Sequence, residues 1–166
     1  MRRAIVLVAA LGMASAALAA GGRPIVSHGV RVVVPNGWQR VPFAGDGGVI
    51  DPVTVLVVGT RRVRPLLNAC QIAAYRIPPA GAAIVVVRWR TETSGGGRPP
   101  RSREPLRHVH IDHGGFECWP NHRGAAVDVA LGGHAYQVNV LIGDRASSPT
   151  VAQALRIVAS FDLARR

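Results

Sequence analysis

Residues 127–161 read VDVALGGHAYQVNVLIGDRASSPTVAQALRIVASF, and this stretch decides how the chain folds. Apolar residues alternate with polar or small ones on both sides of Gly132-Gly133, which is typical of strands with one buried face. Glycine adopts a positive φ at no steric cost, so the pair predicts a two-residue hairpin turn. The second strand places these apolar side chains on the face opposite Gln137 and Asn139: Tyr136, Val138, Val140 and Ile142.

A helix is predicted directly after this hairpin. Ser147 or Ser148 suits the N-cap, because a serine hydroxyl accepts a hydrogen bond from an N–H group of the first turn. Pro149 fits the first turn, where a missing N–H has no cost. Three apolar residues follow at the spacing of one helical face: Val151, Leu155 and Val158. We expect this face to pack on the apolar face of the hairpin.

The N-terminal residues have the organisation of a secretory signal peptide. Arg2 and Arg3 precede an uncharged, mostly apolar run at residues 4–20, and Ala17-Leu18-Ala19 fits a signal peptidase site. The run is shorter and less apolar than the roughly 20 residues of a good membrane span. We therefore predict that residues 1–19 are removed and that the protein is secreted or extracytoplasmic in the cell envelope; a retained anchor is the alternative.

The remaining chain is long enough for one domain. We predict a tail at residues 20–29 and a single α+β domain at residues 30–163. Within it we predict strands at 30–34, 53–58 and 84–87, of which 53–58 is apolar enough to be covered on both faces. The resulting fold is a mixed, mainly antiparallel sheet packed with two helices.

The second helix is predicted at residues 61–75, with Pro65 in its first turn. A strand, a helix and a strand in this order suggest a right-handed crossover if the two strands are parallel. Residues 91–106 are rich in Arg, Pro and Gly, have little to bury and are predicted to form a mobile loop. Strands are expected to resume at 106–112 and at 116–119.

Two cysteines in an exported chain favour one disulfide bond. Cys70 and Cys118 would close a loop of about 50 residues, which corresponds to about 4 kcal/mol of stabilisation. Two free thiols, or a redox or metal-binding pair, are the alternatives. Neither cysteine belongs to a Cys-x-x-Cys motif, so the structural disulfide is favoured.

Several short motifs resemble those of small secreted proteins of unknown function from actinobacteria. The first strand ends in Pro35-Asn36-Gly37-Trp38, and Cys70 precedes an alanine-rich segment that ends in proline. The chain closes with Phe116-x-Cys118, the hairpin and a helix that contains Ile157-Val158-Ala159-Ser160-Phe161. The outline is similar to the Mog1/PsbP-like α/β sandwich. This resemblance implies a fold and a compartment, and it carries no catalytic residues.

The formal net charge is +11, and all 20 basic residues are arginine. A charge of this size is typical of proteins that bind an anionic ligand. The alternative explanation is codon usage, because a GC-rich genome encodes arginine in place of lysine. The arginines are spread along the chain, without the dense stripe and interleaved aromatic residues of proteins that track nucleic acid, so nucleic acid is not favoured. Two loop clusters are candidate anion contacts: Arg61, Arg62 and Arg64 in the first, and Arg98, Arg101 and Arg103 with Arg107 in the second.

Histidines near residue 110 are the candidate metal ligands. His108 and His110 would share one face of a strand, and Asp112 would continue that face, as two or three ligands of zinc or copper require. Solvated histidines opposite Val109 and Ile111 explain the pattern equally well. The sequence contains no cofactor-binding motif, so no cofactor is predicted.

The sequence contains no recognised catalytic motif. Glu117 and Asp128 are the acidic residues expected in the sheet, and an enzymatic role for them is an alternative to simple surface carboxylates. Trp38, Trp89 and Trp119 are expected to cap the core or to line a groove.

Together these features favour an exported, non-enzymatic binding or interaction module of the cell envelope or the extracellular space, whose ligand is unknown. An anionic envelope polymer or a lipid surface is the partner expected from the arginine clusters. A metal-binding protein that uses His108 and His110 is the alternative, and an unrecognised hydrolase is a further one.

Overall fold

A five-stranded antiparallel sheet forms the centre of the fold in a computed structural model, which describes residues 22–44, 50–66, 75–94, 96–112 and 123–165. The strands are β1 (Arg23–Ser27), β2 (Val30–Val34), β3 (Trp38–Arg40), β4 (Val53–Thr60), β5 (Arg64–Pro65), β6 (Tyr75–Arg76), β7 (Ala82–Arg88), β8 (Arg123–Leu131), β9 (His134–Ile142) and β10 (Asp162–Leu163). The helices are a 3-10 helix (Glu104–Arg107) and α1 (Ser148–Ala159). The main sheet has the order β3-β4-β7-β9-β8, a second sheet has the order β1-β2-β10, and β5 pairs with β6.

The β8–β9 hairpin is formed as predicted. Leu131 pairs with His134 across Gly132-Gly133, whose φ angles are +56° and +83°. Only glycine adopts such angles routinely at both positions of a turn. The local sequence therefore fixes this register, and every side chain of the hairpin lies on its expected face.

Both faces of the main sheet are covered. The six residues from Ala82 to Val87 are all buried in β7, and β4 is buried from Val55 to Val58, as expected of a strand covered on both sides. One face packs against α1 and the second sheet, and Phe161 is buried there. The other face forms a smaller core with these residues: Val41, Val57, Val63, Tyr75, Ala83, Val85 and Leu141.

Helix α1 begins at one of the two serines predicted as its cap. Ser147 is the N-cap, and its Oγ accepts a hydrogen bond from the Thr150 N–H at 3.3 Å. The buried side of the helix is centred on Ala154, Ile157 and Val158. Leu155, predicted to belong to the buried stripe, is only partly buried, because the helix is rotated on the sheet relative to that prediction.

The predicted helix at residues 61–75 is wrong at both of its described ends. Arg64–Pro65 and Tyr75–Arg76 are strands that pair with each other, and residues 67–74 lie outside the described residues. The predicted crossover is also wrong, because β4 and β7 are antiparallel. A two-stranded ribbon therefore lies between these two strands in the chain.

Two further segments differ from the sequence-based predictions. Residues 23–27, expected within the tail, form β1 and pair with β2. Residues 106–112, expected as a strand, hold the end of the 3-10 helix and a single bridge from Asp112 to Gly124. The loop at 91–106 contains a Ser94–Gly97 bridge and the start of the 3-10 helix.

The described part of the chain is an α+β arrangement with a mainly antiparallel sheet and α1 as its α-helix. None of its helices is both long and apolar enough to cross a membrane. The predicted signal peptide, the strand at 116–119 and both cysteines, Cys70 and Cys118, lie outside the described residues.

Candidate anion-binding site

The β5–β6 ribbon places two arginines directly opposite each other. In this antiparallel ladder Arg64 faces Arg76, and Pro65 faces Tyr75. Both arginines are exposed, and like charges opposite each other in a ladder destabilise it. This arrangement therefore favours a negatively charged ligand between the two guanidinium groups.

Tyr75 anchors the ribbon to the smaller core. Its ring is fully buried beside Val63 and Val85, and its hydroxyl accepts a hydrogen bond from the Ala44 N–H at 3.2 Å. Burial raises the pKa of the Tyr75 hydroxyl, and the hydrogen bond from Ala44 partly opposes this shift. Because side chains alternate along a strand, a buried Tyr75 directs Arg76 toward solvent.

An open cleft of about 450 Å³ lies beside the ribbon. The described residues that line it are Arg62, Arg64, Arg76, Ile77, Pro78 and Pro79. Arg62 belongs to the turn after β4, where the Val63 N–H bonds to the Thr60 carbonyl at 3.2 Å. Three arginines from two separate segments thus converge on a wall of apolar residues.

The wall of the cleft is held by backbone hydrogen bonds. The Gly81 N–H donates to the Pro78 carbonyl at 2.8 Å, and the Arg145 N–H donates to the Pro79 carbonyl at 2.7 Å. The second bond brings the turn that contains Asp144 and Arg145 against the prolines. The prolines are therefore fixed by the connection between β9 and α1.

The two predicted arginine clusters differ in their ion pairs. Among the described residues, no ion pair involves Arg61, Arg62, Arg64 or Arg76. The second cluster is paired internally, as the next contacts show: Arg98 and Arg101 with Glu92, Arg103 with Asp162 and the Ala159 carbonyl, and Arg107 with Glu104. The first cluster is therefore the better candidate for an external anion.

Glu92 accounts for the neutralisation in the second cluster. Its carboxylate accepts hydrogen bonds from Arg98 at 2.7 Å and from Arg101, and these bonds hold its pKa below the usual range. Arg103 is held at 2.8 Å from Asp162 near the end of α1, so it ties the loop to the helix. The arginines of this loop therefore form ion pairs within the protein that hold the loop together and attach it near the end of α1.

Arg76 was not among the predicted anion contacts. The helix predicted at 61–75 ends just before Arg76, so that prediction does not place Arg76 next to Arg64. Pro65 is one sequence signal for the strand β5, because proline is tolerated in an edge strand as well as in the first turn of a helix. The alternation of Tyr75, Arg76 and Ile77 was the second signal of a strand.

The predicted metal ligands lie at a second open cleft, of about 430 Å³. His108, His110, Asp112 and Asp128 line it together with prolines and residues of β8. No group of three or more His, Cys, Asp or Glu side chains in the described part of the chain is arranged to hold a metal ion. His108 lies 2.7 Å from Glu104 Oε1, and the expected strand is absent here. Metal binding by His108 and His110 stays a prediction without that geometric support.

The tryptophans do not form a groove in the described residues. Trp38 is buried in the main core, and its Nε1 donates to Gln153 Oε1 at 3.0 Å, so it caps the core. Trp89 is partly exposed after β7. Trp119 and Glu117 lie outside the described residues.

Among the described residues of the main sheet, Asp128 is the acidic one. Burial raises the pKa of its carboxyl above the usual value, and a hydrogen bond from Gln137 partly opposes this. Because this pKa is higher in the folded than in the unfolded protein, the free energy of unfolding falls as the pH rises from the unfolded-state pKa through the folded-state pKa. Below the unfolded-state pKa the carboxyl is protonated in both states, and the cost is absent.

The Asp128→Asn variant is therefore expected to be more stable than the parent at about pH 7, with a difference that shrinks toward about pH 3.5. Urea unfolding midpoints across this pH range measure the difference. Asp112→Asn, at an exposed aspartate, is the matched control. A difference between Asp128→Asn and the parent that stays constant with pH would contradict the effect of burial.

The fold and the cleft define an α+β sheet domain with an arginine-lined surface cleft. No protein-family model and no curated protein matches the chain. A crystal structure from Bacteroides thetaiotaomicron VPI-5482 is similar to it with a TM-score of 0.44 and 12% sequence identity, over 87% of this chain and 49% of the other. The chain thus spans about half the length of that protein, and a similarity at this level carries no argument about function.

Proposed function

We propose that this chain is an exported, non-enzymatic binding module of the cell envelope whose ligand is an anionic polymer. The observation that carries the proposal is the pair Arg64 and Arg76, which face each other in the β5–β6 ladder beside Arg62. The ion pairs of the described residues leave these three arginines without a carboxylate.

The cleft suits phosphate or carboxylate groups on a flexible chain. A guanidinium group donates two parallel hydrogen bonds to either anion, and an anion between Arg64 and Arg76 also reduces the repulsion between them. The cleft is open at the surface, so a group on a polymer can reach the arginines from solvent. Its apolar wall of Ile77, Pro78 and Pro79 offers contact for the uncharged part of the polymer.

The double variant Arg64→Gln with Arg76→Gln is expected to bind an anionic polymer about tenfold more weakly than the parent, because two exposed ionic contacts are lost. Titration with polyphosphate and with poly-glutamate at several salt concentrations measures the affinity. We expect the slope of log K against log salt to become shallower by about one to two. Vesicles with anionic lipids are the third ligand and test the lipid surface as the partner.

The control is Arg98→Gln with Arg101→Gln, which removes the same net charge from the arginines that bind Glu92. We expect this variant to lose less than about threefold in affinity, because its arginines already have an internal partner. Equal losses in both double variants would show that only the net charge matters, and that result would overturn the proposed site. Full affinity in the Arg64/Arg76 variant would do the same.

The proposal includes a Mog1/PsbP-like sandwich and a disulfide between Cys70 and Cys118. Export would bring the cysteines into an oxidising compartment, where such a bond persists. Mass spectrometry of the protein purified from the culture medium or envelope, with and without reduction, tests both the disulfide and the removal of residues 1–19. Two free thiols in the exported protein would refute the disulfide.

A further inference from the structure

Strand β8 is an edge strand of the main sheet in the described part of the chain. Its outer side forms backbone bonds at both ends: Gly124 exchanges two bonds with Asp112, at 2.9 Å and 3.0 Å, and the Ala130 N–H donates to the Pro100 carbonyl at 2.8 Å. Because N–H groups alternate in direction along a strand, Ala126 and Asp128 also direct their backbone groups outward. No described residue forms a backbone hydrogen bond with these groups.

The neighbouring chain diverges from β8 at this point. Asp112 pairs with Gly124, but residues 108–111 do not continue the ladder along Ala126 and Asp128. The space between them is the cleft of about 430 Å³, and Pro100 and Pro105 form part of its wall. Proline has no N–H to offer, so these residues provide no backbone donor for the edge.

The part of this edge that no described residue pairs with spans residues 125–129, a length of about 17 Å at the rise of an extended strand. Such an edge accepts an added strand through main-chain hydrogen bonds, as in β-strand addition to other sheets. The cleft therefore has the length and the donors and acceptors for an extended peptide of about three to five residues.

Asp128 gives this edge a charge preference. Gln137 donates to its carboxylate, while Oδ1 is buried and has no hydrogen-bond partner among the described residues. A basic side chain at the opposite position of an added strand would lie on the same face as Asp128 and oppose the charge of its carboxylate. Asp112, at the end of the cleft, adds a second carboxylate.

We propose that the β8 edge between Asp112 and Pro100 binds an extended peptide segment that carries an arginine or lysine opposite Asp128. This ligand differs in class and charge from the anionic polymer and uses other residues. The proposal therefore stands independently of the arginine cleft.

The test is a titration of the purified chain with the acetylated and amidated peptide TVRVT, followed by the backbone amide resonances of Ala126 and Asp128. We expect saturable shifts at these two amides, and binding of the charge-reversed peptide TVEVT at least about fivefold weaker. Asp128→Asn is expected to remove this preference for TVRVT. TVRVT methylated on its central backbone nitrogens cannot form the ladder and is expected to cause no shift.

Ala126→Pro tests the edge from the protein side. The N–H of Ala126 points away from β9, so proline removes an outward donor without breaking the β8–β9 ladder, and peptide affinity is expected to fall at least about tenfold. Should this variant not fold, the methylated peptide supplies the same test on the parent chain. The variant Arg64→Gln with Arg76→Gln should keep its affinity for TVRVT.

Unchanged amide resonances at millimolar TVRVT, or equal shifts with the methylated peptide, would overturn the proposal. Equal binding of TVRVT and TVEVT would overturn the basic class of ligand. A concentration-dependent dimer whose contact includes Ala126, with no response to the peptide, would assign the edge to a second copy of the chain and would also overturn it.

Discussion

Replacing Phe161 by alanine is expected to lower the free energy of unfolding by about 4 kcal/mol. The Phe161 ring is completely buried where α1 ends and β10 begins, and it meets the Tyr136 ring edge-on with 5.5 Å between their centres. Its contacts join the helix to the main sheet, so alanine leaves a cavity that the sheet is too rigid to close. The loss is a large share of the stability of a typical domain.

Urea unfolding followed by circular dichroism measures this change. Ile50→Ala is the matched control, because Ile50 is 74% exposed and its truncation is expected to change stability by less than about 0.5 kcal/mol. A loss below about 1 kcal/mol for Phe161→Ala would mean that the contact between α1 and the sheet contributes little to the fold.

The hairpin and the cap of α1 were predictable because their determinants are local. Gly132-Gly133 and the alternation on both sides specify the turn, the register and the buried face together. Ser147 and Pro149 specify the start of the helix in the same way. In these segments a few neighbouring residues decide the structure.

The ribbon of β5 and β6 was not predictable because its partners are separated in the chain. Pro65 is compatible with both the first turn of a helix and an edge strand. The choice depends on Tyr75, whose burial against Val63 and Val85 stabilises the strand form. Local propensity contains no information about that packing.

The candidate site was predictable in its chemistry and only partly in its position. The sequence identified Arg62 and Arg64 but gave equal weight to Arg103, which the fold pairs with Asp162, 59 residues away in the chain. Whether an arginine is free to bind a ligand depends on the carboxylates that the fold brings to it. The sequence lacks that information, and tertiary contacts such as the one between Arg103 and Asp162 supply it.

Gly143→Ala is expected to destabilise the protein by about 3 kcal/mol through overpacking. A Cβ at this position would collide with the backbone carbonyl oxygens of Pro78 and Pro79, and it would lie 2.8 Å from the Pro79 carbonyl carbon. The backbone cannot move away freely, because the Gly143 N–H bonds to the Gly81 carbonyl at 2.9 Å and the Arg145 N–H bonds to Pro79. The added methyl group therefore pushes on the same prolines that form the wall of the arginine cleft.

Thermal and urea unfolding measure the loss of stability, and the polyphosphate titration measures the cleft. Gly96→Ala is the matched control, since a Cβ there meets its nearest atom at 3.8 Å and is expected to change stability by less than about 0.5 kcal/mol. In the folded fraction of Gly143→Ala we expect weaker binding of polyphosphate, because Pro78 and Pro79 are displaced beside Arg76. Parent-like stability in this variant would contradict the close contact between Gly143 and the prolines. Lower stability with unchanged affinity would show that the wall does not contribute to binding.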